Sequence, residues 1–125
     1  MRRTAYHILR LGLGVTFLYI GAQIWRAPEA WGGFIQPWAL DIMPGSLVAI
    51  MKQSAVLDII IGIWMIIGWR VWIPALLGTI HLGIVLITTT GGWWNIIERD
   101  IGLFAATLAL FVQTTPERVR KMLHI

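Results

Sequence analysis

Apolar residues run through this chain in four long blocks, covering about 7–25, 47–69, 71–90 and 93–113, and polar residues gather between them. A helix that crosses the hydrocarbon core of a bilayer needs roughly 20 mostly apolar residues, and each block approaches that length. The pattern predicts an all-α integral membrane protein, an antiparallel four-transmembrane-helix bundle in one domain over 1–125. Between the first two blocks, Pro28, Pro37 and Pro44 with Gly32, Gly33 and Gly45 forbid a single long helix. That connection also carries Trp31, Phe34, Ile35, Trp38, Leu40, Ile42 and Met43. So much apolar surface predicts a cap in the outer membrane interface, which either shields the top of the bundle, closes over a ligand, or docks another subunit. After the fourth block, Thr115-Pro116-Glu117 reads as an N-cap, a proline at the first helical position and an acid in the first turn. The segment 115–125 is then a short amphipathic surface helix, with Val119, Met122 and Leu123 on one side and Arg118, Arg120 and Lys121 around the other.

The polar exceptions inside the blocks carry more information. Arg10, Gly14, Phe17 and Gly21 fall on one face of the first span, where the glycines invite a close neighbour. Arg10 either reaches back to the phosphates or turns into the bundle. Asp58 stands in the middle of the second span, His81 in the third, and Glu98-Arg99-Asp100 near the start of the fourth. Charge at such depth costs several kcal/mol unless it is paired, and it marks a functional site by default. The turn Gly68-Trp69-Arg70-Val71-Trp72 is short, so the second and third spans return side by side, and residues equally far from the turn lie at equal depth. Asp58 and His81 meet that condition, and the same counting across Gly91-Gly92 brings Asp100 level with His81. Three ionisable residues on three helices therefore share one layer. They either fix helix register or form a binding site.

Composition narrows the class. Hydrophobic residues make up 58% of the chain and charged residues 13%, which excludes an ordinary soluble globule. Eight tryptophans suit the two membrane interfaces. The net charge of +4 resides mostly at the termini and points to an anionic lipid leaflet, with no basic stripe for nucleic acid. Absence of cysteine excludes disulfides, a dithiol centre and thiolate-held metal or iron–sulfur clusters. Met1-Arg2-Arg3 precedes an apolar run without a small-x-small cleavage site, so it is expected to begin a retained first span. With the N-terminus inside, Arg2, Arg3, Arg10, Arg70, Arg118, Arg120 and Lys121 face the cytoplasm, against Arg26, Lys52 and Arg99 outside. The bias predicts both termini cytoplasmic and the Trp-rich loop external.

Those residue types bound the chemistry. Haem held between two histidines is disfavoured, because His81 is the only histidine well inside a span. A carboxylate-rich metal site lacks the Glu-x-x-His pair that would reinforce it. A quinone head group needs hydrogen-bonding partners for two carbonyls, an apolar slot, and a proton donor or acceptor. Asp58, His81 and Asp100 are the candidates for handling protons; Arg10, Glu98 and Arg99 could contact the ring polar groups; Phe17, Trp64 and Phe104, with Tyr19, could line the slot. The same set could relay protons or hold another polar substrate.

Leu9-Arg10-Leu11 with Phe17 and Gly21, Asp58 followed by Gly62, Gly68-Trp69-Arg70, and Arg99-Asp100 opening an Ala/Leu-rich last span together resemble the DoxX family of small four-helix membrane proteins. The matching positions are Arg10, Asp58, Arg70, Arg99 and Asp100; the family often has Glu where this chain has Asp58, while His81 and the Trp-rich loop match no family pattern. The resemblance implies a multi-pass protein of a bacterial or archaeal cytoplasmic membrane, related to the small subunit of a thiosulfate:quinone oxidoreductase or to membrane partners of redox enzymes. With no redox centre of its own, such a chain is at most one subunit of a quinone-dependent enzyme, bound to other membrane or redox proteins. The alternative is a non-catalytic accessory subunit in which buried charges set helix packing. A transporter is disfavoured by the absence of an internal repeat.

Overall fold

The computed structural model describes residues 2–89 and 94–125, apart from the side chains of 94–98. The Gly91-Gly92 turn, Trp93 and the Glu98 side chain lie outside the described residues. Among the described residues, seven helices follow in order: α1 (Arg3–Arg26), α2 (Pro28–Gly32), α3 (Pro37–Ile42), α4 (Leu47–Ile67), α5 (Trp72–Thr89), α6 (Trp94–Thr114) and α7 (Glu117–Leu123). There is no strand among the described residues. Three helices, α1, α4 and α5, are long and apolar enough to cross a membrane. α6 equals α4 in length at 21 residues, but charged residues occupy its first turns.

The tightest packing joins α1 to α4, and small residues permit it. A Cβ added at Gly62 would stand 2.6 Å from the Gly14 carbonyl oxygen and from the Leu18 amide nitrogen. One added at Gly21 would meet the Ala55 carbonyl oxygen at 2.8 Å. The two backbones therefore run in contact over two turns, a surface that gains dispersion and loses nothing to side-chain ordering. At the far end of this seam Arg10 Nη1 donates to the carbonyls of Met65 and Ile66, at 2.6 and 2.8 Å. Those groups belong to the last turn of α4, where carbonyls have no amide partner within the helix and the dipole favours a cation. Gly68 ends α4 with φ of 85°, and its missing side chain leaves room for the Arg10 guanidinium, which a Cβ would approach to 2.8 Å. Of the two fates open to Arg10, it takes the inward one.

α5 packs chiefly on α6, and α4 touches α5 over a much shorter stretch than it touches α1. Contacts of α1 with α6 close the arrangement. Its core is built from Leu13 and Phe17 of α1, Ile61 and Met65 of α4, Ala75 and Leu82 of α5, and Leu110 and Phe111 of α6. In the connection after α1, Pro28 and Pro37 each start a short helix, since a proline at the first helical position forfeits no hydrogen bond. At the chain's end the capping differs from expectation. Pro116 is the N-cap of α7, and the buried Thr115 hydroxyl instead donates back to the Phe111 carbonyl, which fixes the bend.

Replacing Gly62 by Ala is expected to lower the thermal midpoint of the detergent-solubilised protein, by about 1–3 kcal/mol in stability, because backbone must move. Gly12→Ala, where a Cβ meets nothing within 4 Å, serves as the control and should leave the midpoint unchanged or raise it.

Candidate functional site

Asp58 and His81 meet where the turn arithmetic places them. His81 Nε2 lies 3.0 Å from Asp58 Oδ1, with the aspartate side chain 5% exposed and the imidazole 12%. Ser54 Oγ, one helical turn before Asp58 on α4, stands 3.2 Å from the same nitrogen. Two oxygens converge on one imidazole nitrogen, the Ser54 hydroxyl in a hydrogen bond and the Asp58 carboxylate in an ion-pair contact. An imidazole and a carboxylate at the edge of an apolar space are the residue types that general acid–base chemistry uses.

A second polar pair faces the same space from α6. Arg99 donates through Nε and Nη2 to Asp100 Oδ1, both at 3.2 Å. The carboxylate is buried, while the arginine side chain is 39% exposed and holds its guanidinium 5.6 Å from the centroid of the Trp31 ring. Ser54, Asp58, His81, Arg99 and Asp100 all line one cavity of about 210 Å³. Its remaining wall is largely aliphatic and aromatic, with Phe17, Ile20 and Ile24 from α1 and Leu103 from α6. Trp31, Phe34, Ile35 and Met43 line it from the connection between α1 and α4. The backbone amide of Gln36 donates to the Thr88 carbonyl at 2.8 Å and ties that connection to the end of α5. The Trp-rich segment is thus a roof over the cavity, with Trp38 and Ile42 turned outward.

The residues expected to form the site divide into two groups. Asp58, His81, Asp100, Arg99 and Phe17 come together around the cavity. Arg10, Trp64 and Phe104 do not line it, for separate physical reasons. Arg10 is consumed by the end of α4. Trp64 lies beyond Asp58 toward the tight turn, donates from Nε1 to the Trp69 carbonyl at 2.7 Å and stacks on the Trp69 ring. Phe104 packs into the core beside Gly83, and Tyr19 is exposed on the outer face of α1. Glu98, named with them, has no described side chain.

Ser54 was missed by the sequence reading, although its spacing of four from Asp58 puts it on the same helix face. The inward aim of Trp31 was also missed. Spacing gave no signal for it, because a segment broken by proline has no period from which a buried face can be read.

A family model described as DoxX matches residues 5–91. The match takes in α1 to α5 with Asp58 and His81, and it stops short of Arg99 and Asp100. No curated protein and no solved structure matches the chain.

The Asp58–His81 contact is expected to show as a coupling of about 1–3 kcal/mol between Asp58→Ala and His81→Ala in a double-mutant cycle of unfolding. A coupling near zero would mean that each side chain is held by its own helix, independent of the other.

Proposed function

The chain belongs to the DoxX family, and from that premise we propose that it is the membrane subunit of a quinone-linked oxidoreductase complex, binding a quinone or quinol head group in the cavity beside His81. One observation carries this reading: an Asp58–His81 ion pair and an Arg99–Asp100 ion pair line one largely apolar cavity. A cavity of about 210 Å³ is smaller than the ~300–1,000 Å³ that encloses a drug-sized ligand, which suits a single ring. Reduction of a quinone takes two electrons and two protons, one proton to each carbonyl oxygen. The His81–Asp58 pair can supply or take a proton on one side and Asp100, with Arg99 as hydrogen-bond donor, can serve the other. In this reading the electrons come from a redox-active partner subunit.

In the same reading α6 is a fourth crossing. Its 21 residues extend about 31 Å at 1.5 Å per residue, close to the ~30 Å of a hydrocarbon core. Both termini then lie on the cytoplasmic side of a bacterial or archaeal inner membrane, and the roof lies outside.

The accessory-subunit reading is favoured by a specific observation of its own: Asp58 pairs directly with His81, and Asp100 with Arg99, so each buried carboxylate already has a partner. Buried pairs of this kind fix register without any ligand. The two readings part under titration with a benzoquinone. In lipid nanodiscs the wild-type protein is expected to bind it, and Asp58→Asn and Asp100→Asn each to weaken binding about tenfold, or about 1.4 kcal/mol, while the protein still folds and assembles. Loss of assembly in both variants, with no quinone bound by the wild type, would establish the accessory role instead.

A further inference from the structure

Resting on the quinone reading, we infer that the cavity opens sideways into the membrane between α4 and α5, and that its ligand is an amphiphile whose ring stays at His81 while its hydrocarbon tail leaves past Ile84. α4 and α5 are joined by the tight turn at Gly68 and pack less closely on each other than α4 does on α1. Ile50 and Ile84, which lie farther from that turn than Ser54 and His81, both line the cavity.

Ile84 also belongs to the outer face of α5. Leu77, Ile80, Ile84 and Ile87 recur at helical spacing and are all exposed, a stripe that faces lipid in a membrane-spanning helix. Ile84 is 50% exposed and yet forms cavity wall, so the wall and the lipid-facing surface are continuous there. The polar atoms are segregated in keeping with that continuity. The carboxylates of Asp58 and Asp100 are buried, while Ile84 and its neighbour Val85 line the cavity with aliphatic carbon. A small hydrophilic substrate has no use for such a mouth, whereas a lipid-dissolved one reaches the site without crossing water.

The opposite end supplies the complement. Trp31 over Arg99, and the tether from Gln36 to Thr88, hold the roof down on the side away from the turn. An amphiphile therefore enters laterally, below the roof, with its ring leading.

Ile84→Trp in lipid nanodiscs tests the mouth, with two probes: a benzoquinone bearing a long alkyl tail and the same ring without it. Affinity for the tailed probe should fall about tenfold more than affinity for the bare ring. Equal loss of both probes, or no loss of either, overturns the lateral mouth. Because the chain has no cysteine, Ile50→Cys carries a single nitroxide. More frequent collisions with membrane-dissolved oxygen than with a water-soluble nickel chelate support the mouth whatever ring is bound, and the reverse overturns it. A wild type that binds neither quinone while the nitroxide meets oxygen would reject the quinone and keep the lateral opening.

Discussion

A carboxylate placed halfway along an apolar helix has to be answered by another side chain, and the contact of Asp58 with His81 answers it. Leaving either group alone among aliphatic neighbours would cost several kcal/mol, more than a single interhelical packing contact returns. The pair therefore acts as a register constraint on α4 and α5, two helices whose apolar surfaces would otherwise slide past each other with little penalty. It also compensates for their limited packing. Where α1 and α4 are joined by backbone contact at Gly14, Gly21 and Gly62, α4 and α5 are joined by a tight turn, a share of the apolar core and one polar cluster.

That difference divides the molecule into a rigid side and a looser side. α1 and α4 cannot separate without losing the glycine seam and the two hydrogen bonds from Arg10 to the end of α4. α5 packs mainly on α6, which brings Arg99 and Asp100 with it. The cavity sits between the two sides, and the roof spans them, leaving α1 at Arg26 and tied to α5 at Thr88. The Asp58–His81 contact bridges the two sides at the cavity, and Arg99 and Asp100 reach the same cavity from α6.

How far the sequence disclosed this depended on whether a residue sat in a periodic segment. Asp58 and His81 were matched by counting from a tight turn, and counting works because the helical rise is constant and the turn leaves no slack. Asp100 followed from the same layer argument, whereas Phe17 and Arg99 were named by chemical type. The helix ends were misjudged by a residue or two, as at Thr115, because capping is settled by which hydroxyl finds which carbonyl. Arg10 and Trp64 were placed at the site by chemical type alone. Their actual partners are backbone carbonyls at a helix end, and such groups carry no mark in a sequence. The roof was visible as apolar composition in a proline-broken segment, but its inward face was not, for want of a repeat.

The direct pairing of the buried charges does not by itself decide between a scaffold and a site, and the reason lies in how many atoms the pairs use. Among the described residues, Asp58 meets His81 through Oδ1, and Asp100 meets Arg99 through Oδ1. A carboxylate has two oxygens and about four lone-pair positions, and an imidazole has a second nitrogen. Pairing of this kind lowers the cost of burying the charges. A pure scaffold gains from filling the space between such pairs with methyl groups, since a void forfeits dispersion on every side. This chain instead keeps about 210 Å³ open beside both pairs and places a tryptophan over one of them. An apolar room lined by two buried ion pairs keeps open a space that a pure brace would have filled.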